Sequence, residues 1–421
     1  MKNLNAVILA AGEGTRMNSG YPKILHKLGS KSMLGHVLDN VDAVGIKKAF
    51  VITGFKSQLV EKYVGKGIKC VQQKKLLGTA DAVWQLRNEP VLKNKDARLL
   101  VVYGDIPLVT SQTIKKLLDK HTQDNAAATL LTVIIKDPRS YGRIVRSESG
   151  AILKIVEEAD ANVYQRAIEE VNVGVYIFKC LELFKAIKKI KPNNKKKEYY
   201  LTDIIEIMSR QNLVINSVET QDPDEIVGVN SRRGLAQAYK ILKNRIIGNI
   251  IEAGVTVIDP ETTYIDENVK IGKDTIIYPL SVIENDVVIG ENCRIGPLCH
   301  IRSGCRVADD VALGNFVELN RTQVGRSTRI KHQSYIGDTQ IGEKVNIGAG
   351  TIVANYDGRS KHKTIIGNGA FIGTGTILVA PVKVGKSAVT GAGAVVTKNK
   401  NVPDNTIVVG VPAKKLKKIK R

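Results

Sequence analysis

The chain has 421 residues, a formal net charge of +22 and five cysteines, with 43% hydrophobic and 25% charged residues. This length predicts two domains with their own cores, because a single core stops growing near roughly 250 to 300 residues. No apolar stretch approaches the roughly 20 residues of a membrane helix, and the odd cysteine count without CxxC spacing argues against a disulfide scaffold or a zinc knuckle. The amino terminus lacks a secretory pattern, so we expect a cytoplasmic protein with reduced thiols.

Residues 1–230 alternate short β-branched runs with helix-like segments. The apolar runs are AVILA, KAFVIT, RLLVVYGD, ATLLTVII and NVGVYIF. Strands separated by helical stretches of this kind indicate a largely parallel sheet with helices on both faces. The sequence therefore predicts a Rossmann-like α/β domain over residues 1–230. Residues 231–252 place apolar side chains near helical spacing and are predicted to form a connecting helix.

A period of six residues begins after Gly254 and marks the third predicted segment, residues 253–421. Its anchors include Ile265, Ile271, Ile277, Ile283, Ile289, Ile295 and Ile301. Such self-similarity indicates a solenoid, because one coil cannot bury its apolar face alone, and three hexads close a triangular coil. Cys293, Cys299 and Cys305 share one phase of the hexads, so we expect them to fill the core. Glycine after an anchor suits corners where φ is positive. The repeats are similar to those of the hexapeptide-repeat family, whose fold is a left-handed parallel β-helix.

The first apolar run leads into a glycine loop, LAAGEGTRM, followed by PKIL. Backbone N–H groups of a glycine loop after a strand can bind phosphate. Gly12 and Gly14 alone are weak evidence, since the third glycine of the Rossmann fingerprint is Met17 here and no Walker GK[ST] follows. An ordinary turn between strand and helix is the alternative that these two glycines leave open.

The positive charge allows a nucleic-acid interpretation, because clustered lysines and arginines bind phosphate backbones. Most of the basic residues are scattered, and the two runs, residues 188–197 and the basic tail at 414–421, contain no interleaved aromatic residues. We therefore expect no nucleic-acid partner and interpret the charge as solvated surface or as an attraction for acidic small substrates.

A series of further blocks follows the glycine loop in order: QQKKLLGTADA, VVYGDIPL, SYGRIV, VEEAD, EVNVGVY, EYYLTDII and VGVN. Together these blocks resemble the sugar-nucleotidyltransferases. Joined to hexapeptide repeats, they resemble the family of bifunctional enzymes that combine N-acetylglucosamine-1-phosphate uridyltransferase with glucosamine-1-phosphate N-acetyltransferase. The resemblance spans most of the chain. It implies a multifunctional transferase of UDP-N-acetylglucosamine synthesis and cell-wall biogenesis that uses UTP, acetyl-CoA and Mg²⁺.

For uridyl transfer, the resemblance implies two catalytic cations, Arg16 and Lys23, that neutralise charge on the phosphates of UTP. It implies a Mg²⁺ ion bound by Asp105 and Asn230, whose oxygens are ligands that Mg²⁺ prefers. Read without the resemblance, Asp105 could be a turn residue or helix cap before Pro107. The implied nucleotide-binding residues are Leu9, Ala10, Ala11, Gly12, Lys23, Gln73, Gly78, Thr79, Tyr103 and Gly104. The implied sugar-binding residues are Gly142, Glu157, Asn172 and Asn230.

For acetyl transfer, the amine that attacks the thioester must lose a proton, and an imidazole suits that task at neutral pH. His332 lies at an outward hexad position in HQSY, where the core does not need it. The resemblance implies that His332 is the general base; the alternative is an exposed histidine without a role. The implied residues for the acetyl acceptor are Arg302, Asn320, Tyr335 and Asn346. Those for acetyl-CoA, in a groove between subunits of a homotrimer, are Ala349, Asn355, Tyr356, Thr374 and Gly391.

Two departures from the family pattern affect the acetyltransferase half. Asn320 stands where the family has a substrate-binding lysine, with Arg321 next to it, and Gly410 stands where a basic residue is expected. The sequence thus leaves two alternatives open. In one, the chain is a uridyltransferase whose β-helix only trimerises or regulates it. In the other, the chain is a non-catalytic hexapeptide-repeat assembly protein.

Overall fold

The computed structural model describes residues 3–416, which form parts of two compact units, Met1–Tyr239 and Lys240–Arg421. Most of the predicted basic tail, residues 417–421, lies outside the described residues. Within residues 3–416, no helix combines the length and the apolar character needed to cross a membrane. Each unit is described separately below.

The first unit contains eleven strands among its described residues. They are β1 Leu4–Ala10, β2 Lys27–Leu28, β3 Lys31–Ser32, β4 Ala49–Thr53, β5 Lys69–Gln72, β6 Arg98–Tyr103, β7 Ala128–Ile134, β8 Arg143–Arg146, β9 Ile152–Val156, β10 Glu170–Lys179 and β11 Ile215–Glu219. Its helices are α1 Met33–Ala43, α2 Ser57–Val64, α3 Thr79–Trp84, α4 Ser111–Gln123, α5 Val163–Arg166, α6 Cys180–Ile187 and α7 Asp203–Ser209. Helix α8, Arg232–Glu252, follows them.

The main sheet runs in the order β11-β7-β10-β6-β1-β4-β5. Strands β6, β1, β4 and β5 are parallel to one another, as are β7 and β11. Strand β10 is antiparallel to both of its neighbours. It follows the β8–β9 hairpin and α5, and it also pairs with β8 in the antiparallel direction.

Alternate residues of the central strands pack into two separate cores. On β1, Val7 contributes to the core under α3, α6 and α7, whereas Ala6 and Ile8 contribute to the core under α1 and α4. The strands are therefore buried on both faces, which explains their continuous apolar runs. The predicted Rossmann-like α/β architecture is confirmed, and its βα turns at the carboxyl ends of β1 and β6 are available to form a site.

The second unit consists almost entirely of short strands. They are β12 Thr256–Val257, β13 Tyr264–Ile265, β14 Lys270–Ile271, β15 Ile276–Ile277, β16 Val282–Ile283, β17 Val288–Ile289, β18 Arg294–Ile295, β19 His300–Ile301, β20 Arg306–Val307, β21 Ala312–Asn320, β22 Gln323–Val324, β23 Arg329–Gly337, β24 Thr339–Ile341, β25 Asn346–Ile347, β26 Ile352–Ala354, β27 Thr364–Ile366, β28 Phe371–Ile372, β29 Ile377–Val379, β30 Val382–Val384, β31 Val389–Thr390, β32 Val395–Val396, β33 Ile407–Val409 and β34 Lys414–Lys415.

These strands stack into three parallel ladders, one for each face of a triangular coil. Ile277 pairs with Ile295, so one coil takes 18 residues (277 to 295), or three hexads. The anchor side chains and Cys293, Cys299 and Cys305 are buried in one continuous core. The left-handed parallel β-helix predicted from the hexads is confirmed. Residues 355–363 project between β26 and β27, where the hexad pattern is interrupted.

The glycines after the anchors serve a different purpose from the one predicted. Of the six glycines to which that prediction applies, only Gly296 has a positive φ, 98°; the others are Gly272, Gly290, Gly342, Gly348 and Gly373. At Gly272 a Cβ would lie 2.6 Å from the backbone nitrogen of Glu291 in the next coil, and at Gly348 it would lie 2.5 Å from that of Thr374. Glycine is required there because the backbones of successive coils approach closely. The expectation of positive φ at these positions was wrong.

We expect Gly272→Ala to destabilise the β-helix by about 1–3 kcal/mol, the usual range for overpacking a tight site. Gly248→Ala is the matched control in the same unit, because a Cβ at this interior position of α8 would meet nothing within 4 Å. That change should stabilise by about 0.5–1 kcal/mol. Calorimetric unfolding measures both. Equal melting temperatures for Gly272→Ala and the unaltered protein would contradict the close approach.

Candidate functional site

A cleft of about 610 Å³ opens in the first unit, lined by the ends of β1 and β6 and by the loops beyond them. It brings together residues from every block that the sequence analysis singled out. The predicted residues that line it are Leu9, Ala10, Ala11, Gly12, Arg16, Lys23, Gln73, Gly78, Thr79, Tyr103, Asp105, Gly142, Glu157, Asn172 and Asn230. Gly104 is the one predicted residue of this site that is not among the lining residues; its backbone N–H donates to the carbonyl oxygen of Leu9 at 2.9 Å.

The glycine loop begins directly after β1 and is shaped by a residue that the sequence analysis did not assign. Gly14 has φ 66°, a left-handed conformation that favours glycine, and a Cβ there would lie 2.6 Å from the Cβ of Lys23. Gly14 therefore lets the loop pack against the stem of Lys23. Arg16 follows in a short 3₁₀ helix, Thr15–Met17, with an exposed side chain that makes no hydrogen bond or ion pair within residues 3–416.

Lys23 lies between the two predicted metal ligands. Its Nζ is 2.5 Å from the Oδ2 atom of Asp105 and 2.9 Å from the Oδ1 atom of Asn230. The N–H group of Val229 donates to the carbonyl oxygen of Asp105 at 2.8 Å, which ties the two ligand-bearing segments together. One cation thus contacts one carboxylate and one amide oxygen, a donor pair that suits a hard divalent cation such as Mg²⁺. Asp105 and Asn230 fit the metal that the resemblance implies.

Gln73 is buried at the base of the cleft, and its amide group is held in one orientation. The Nε2 atom donates to the carbonyl oxygen of Gly78 at 3.0 Å and to the Oδ2 atom of Asp81 at 2.8 Å. Because both amide hydrogens are bound within the protein, the side-chain carbonyl is the group left for a ligand, and it can only accept a hydrogen bond.

The EYYLT segment supports this side of the cleft. Gly78 has φ 119°, and a Cβ there would lie 2.5 Å from the carbonyl oxygen of Tyr199. The hydroxyl of Thr79 accepts a hydrogen bond from the N–H group of Leu201 at 2.9 Å. The sequence analysis used this segment only for the resemblance, whereas the structure gives it a supporting contact with two predicted nucleotide-binding residues.

A further part of the cleft is formed by Glu157, Asn172 and Tyr103, which lie on neighbouring strands and loops. Burial raises the pKa of Glu157, although the hydroxyl of Thr202 donates to its Oε1 atom at 3.0 Å. Burial also raises the pKa of Tyr103 far above its usual value, so its hydroxyl is neutral. The side chain of Asn172 donates to the hydroxyl of Tyr176 at 2.6 Å. The surface that these residues form is polar and carries hydroxyl groups and one carboxylate.

Asp203 begins α7 directly after Thr202. Burial, together with the nearby carboxylates of Glu157, Glu206 and Asp160, raises its pKa from 3.8 to about 6. Between about pH 4 and pH 6 the folded state therefore binds more protons than the unfolded state, and stability falls as the pH rises through this window. The destabilisation is fully present above the folded pKa.

We expect Asp203→Asn to increase stability at pH 7 and to flatten the pH dependence between about pH 4 and pH 6, because the amide cannot ionise. Urea unfolding followed by the fluorescence of Trp84, the single tryptophan and part of α3, measures this unit. Asp119→Asn removes an exposed carboxylate from α4 and is the control. An unchanged slope in Asp203→Asn would contradict the raised pKa.

One cation in the cleft was missed by the sequence analysis. Lys196 belongs to the basic run at 188–197, which we interpreted as solvated surface. The side chain of Lys196 is exposed, yet it lines the cleft close enough to Glu157 to oppose the rise in the pKa of that carboxyl. Three consecutive lysines carry no signal that distinguishes a lysine at a cleft from one in solvent.

In the second unit, His332 lies in β23, one of two adjacent nine-residue strands. Asn315 on β21 pairs with His332, and Glu318 pairs with Tyr335. The side chain of His332 is exposed and makes no hydrogen bond or ion pair with any other part of residues 3–416. It is therefore available to a ligand rather than engaged in holding the coil together.

The predicted acceptor residues Arg302 and Asn320 lie in successive coils next to each other. The N–H group of Arg302 donates to the carbonyl oxygen of Leu319 at 2.8 Å, and its guanidinium contacts the carboxylate of Glu318 at 3.1 Å. Asn320 pairs with Gly337 in the following coil. Asn346 and Tyr335 belong to neighbouring strands, β25 and β23, of the same sheet.

Arg321 has its guanidinium already engaged by two neighbours. It binds both carboxylate oxygens of Asp338, at 2.6 and 2.8 Å, and donates to the Oδ1 atom of Asn320 at 2.7 Å. The buried Asn355 donates to the same carboxylate. Arg321 thus orients Asn320, and the charge that a lysine would supply at this position is largely neutralised by Asp338.

The predicted acetyl-CoA residues follow one corner of the coil and the loop beside it. The N–H group of Gly375 donates to the carbonyl oxygen of Ala349 at 2.7 Å, and that of Gly393 donates to Thr374 at 2.8 Å. Gly391 lies two residues before Gly393, and its N–H group donates to the carbonyl oxygen of Val408 at 2.8 Å. Tyr356 is exposed on the projecting loop at 355–363. His362 contacts Asp357 in that loop at 2.6 Å.

Two protein families match separate parts of the chain. The family described as nucleotidyl transferase matches residues 5–223, and the family described as GMPPB C-terminal domain matches residues 258–357. The bifunctional protein GlmU of Geobacillus sp. (strain WCH70) is 43% identical over 437 residues, which cover 96% of this chain and 94% of that protein. The GlmU of Thermosipho africanus (strain TCF52B) is 43% identical, covering 97% and 94%, and that of Lactococcus lactis subsp. lactis (strain IL1403) is 41% identical, covering 97% and 95%.

Proposed function

The chain belongs to the family of bifunctional GlmU proteins and is a transferase of UDP-N-acetylglucosamine synthesis, and from this premise we propose which residues carry out each of its two steps. In the first step an acetyl group passes from acetyl-CoA to glucosamine-1-phosphate. In the second, N-acetylglucosamine-1-phosphate attacks the α-phosphorus of UTP and pyrophosphate leaves. The proposal assigns the second step to the cleft of the first unit and the first step to the β-helix.

The observation that carries the uridyltransferase assignment is the contact of Lys23, which packs against the glycine loop, with Asp105 and Asn230. Transfer of a nucleotidyl group depends on positioning and on neutralising phosphate charge, with little covalent chemistry for the protein. Arg16, whose guanidinium has no partner in residues 3–416, would bind the leaving phosphates. Lys23 would neutralise the α-phosphate, and the backbone of residues 9–12 would hold the nucleotide.

Asp105 and Asn230 would hold the Mg²⁺ ion, which supplies charge neutralisation at the phosphate oxygens when bound. The chain's own part is to keep both oxygens facing one position, and the hydrogen bond from Val229 to Asp105 does this at the backbone. Two protein ligands leave the remaining positions to water and phosphate, as is usual for Mg²⁺ sites.

Base and sugar would be recognised by different residues of the cleft. The side-chain carbonyl of Gln73 accepts a hydrogen bond and cannot donate one, so it would select uracil, whose N3–H donates, over cytosine, whose N3 accepts. Glu157, Asn172, Gly142 and Tyr103 would contact the sugar. The Glu157 carboxylate can accept hydrogen bonds from sugar hydroxyls in this partly desolvated part of the cleft.

In the β-helix, His332 would take the proton from the amine of glucosamine-1-phosphate as nitrogen attacks the thioester carbonyl. Arg302, Asn320, Tyr335 and Asn346 would bind the sugar phosphate. Ala349, Asn355, Tyr356, Thr374 and Gly391 would line the acetyl-CoA groove. The free side chain of His332 on an outward corner supports this role, since a general base must reach its substrate.

We propose a homotrimer in which neighbouring β-helices complete the acetyl-CoA groove, and a cytoplasmic location where UTP and acetyl-CoA are available. Exposed apolar side chains on the β-helix are candidates for the contacts between neighbouring β-helices in this proposal. They include Phe316 at 58% exposure, Phe371 at 50% and Ile352 at 46%.

The experiment uses the full chain with glucosamine-1-phosphate, acetyl-CoA, UTP and Mg²⁺, and follows free CoA and pyrophosphate separately. We expect both products, and pyrophosphate should stop when acetyl-CoA is omitted. Pyrophosphate that forms only when N-acetylglucosamine-1-phosphate is added would reduce the β-helix to an assembly module. Absence of both products would contradict the proposal.

A further inference from the structure

The ammonium group of Lys23 contacts the two oxygens, Oδ2 of Asp105 and Oδ1 of Asn230, that we propose as metal ligands. We infer that Lys23 is the resident cation of this site in the free enzyme, and that it makes metal binding depend on triphosphate binding. The inference rests on the proposed uridyltransferase site and goes beyond it, because it assigns Lys23 a second partner and predicts how metal affinity is controlled.

The geometry of the contact supports this role. The Nζ atom lies 2.5 Å from one ligand oxygen and 2.9 Å from the other, and the side chains of Lys23 and Asp105 are only 12% and 21% exposed. A Mg²⁺ ion bound to both oxygens would sit about 2.0–2.1 Å from each. Ammonium and metal ion therefore compete for one position, and the metal enters only when the ammonium leaves.

The surroundings indicate which atoms move. The stem of Lys23 packs against Gly14, and Pro22 precedes it with φ −53°, so the Cα and Cβ of Lys23 are held. The ligands are also held, because the N–H group of Val229 donates to the carbonyl oxygen of Asp105. Movement is left to the distal bonds of the lysine side chain, whose end faces the cleft.

A triphosphate in the cleft offers the ammonium a new anionic partner. Phosphate oxygens would draw Nζ away from Asp105 and Asn230 and would leave these two oxygens free for the metal. The ammonium of Lys23 thus pairs with the carboxylate of Asp105 in the free enzyme and with a phosphate in the enzyme that has bound the triphosphate. Such coupling is reciprocal, so metal binding must strengthen triphosphate binding by the same factor.

The test measures Mn²⁺ binding to the free full-length protein by electron paramagnetic resonance, without nucleotide. Mn²⁺ replaces Mg²⁺ at oxygen sites and gives a direct signal from unbound ion. Lys23→Met removes the ammonium and keeps the length of the side chain. If the ammonium vacates the site less than about a tenth of the time, this change should lower the Mn²⁺ dissociation constant at least about tenfold.

Lys27→Met is the matched control, because it removes an exposed positive charge four residues away without touching the site. A double variant, Lys23→Met with Asp105→Asn, should lose the gain in affinity. Thermal unfolding checks that each variant folds, and Lys23→Gln is a second neutral replacement in case the methionine variant does not. A change in Lys23→Met and Lys23→Gln no larger than in Lys27→Met overturns the inference.

Uridyl transfer by the same variants tests the proposed function separately from the metal affinity. If Mn²⁺ affinity is unchanged but Lys23→Met and Asp105→Asn both lose uridyl transfer, the site is catalytic and only the competition is wrong. If Asp105→Asn retains uridyl transfer, the proposed site itself fails, whatever the metal affinities are.

Discussion

Asp105→Asn is expected to reduce uridyl transfer by at least about 10²–10³-fold, the usual loss when one preorganised electrostatic group is removed from an active site. The amide keeps the size of the side chain and removes the charge. It leaves the Lys23 ammonium without its anionic partner, 2.5 Å away in the unaltered protein, and removes the carboxylate that we propose as a metal ligand. Pyrophosphate release from UTP and N-acetylglucosamine-1-phosphate is the measurement.

Acetyl transfer measured on the same preparation is the internal control. Free CoA released with glucosamine-1-phosphate should appear at the unaltered rate, because the first unit contributes no residue to the proposed acetyl site. Asp137→Asn removes an exposed carboxylate of the same unit, paired only with Arg139, and should leave both rates unchanged. Uridyl transfer in Asp105→Asn at the rate of this control would contradict the assignment.

His332→Ala is expected to reduce acetyl transfer by about 10²–10⁴-fold, the range that a positioned general base contributes. The side chain is exposed on a corner of the β-helix and makes no hydrogen bond within the described chain, so its removal should leave the fold intact. The measurement is CoA release with glucosamine-1-phosphate and acetyl-CoA. Uridyl transfer with N-acetylglucosamine-1-phosphate should be unaffected.

A basic residue far from the proposed site provides the control. Lys270 on β14 is exposed, so Lys270→Ala removes a basic side chain of the same unit that belongs to neither β21 nor β23. A further arm raises the pH, because a more basic solution deprotonates the amine and should narrow the gap between His332→Ala and the unaltered protein. Full acetyl transfer in His332→Ala would favour the alternative in which the β-helix only assembles or regulates the enzyme.

Asn320 bears on the same step. Since Arg321 is bound to Asp338 through two hydrogen bonds, its guanidinium is only partly available to a sugar phosphate. Arg302, which is held by Glu318, is in the same situation. The acceptor site that we propose therefore binds phosphate through partly neutralised cations and amide groups, and the sequence pattern alone could not reveal these ion pairs.

The fold was predictable because its signals are local and repeated. A six-residue period over about 150 residues leaves one architecture, since each hexad supplies one strand and one corner and the anchors must share a core. The alternating apolar runs of residues 1–230 predicted the sheet because they are also local and repeated signals. The predicted boundaries at residues 230 and 252 remain predictions, although α8 spans Arg232–Glu252.

Two parts of the fold could not be read from such signals. One is the antiparallel direction of β10, because an apolar run has the same composition in either direction. The glycines after the anchors were correctly picked out but wrongly explained. Their cause is the distance to the next coil, which a single hexad does not contain.

The assignments of site residues also remain predictions, but the sequence by itself determined which side chains to consider, because its motifs resemble those of the family and the resemblance implies roles for Lys23, Asp105 and Asn230. Only the tertiary structure decided that the ammonium of Lys23 contacts both other side chains, which lie 82 and 207 positions away along the chain. The reason is physical. Repeats and turns encode neighbours within a few residues, whereas contacts between distant loops depend on how the whole sheet brings its strand ends together.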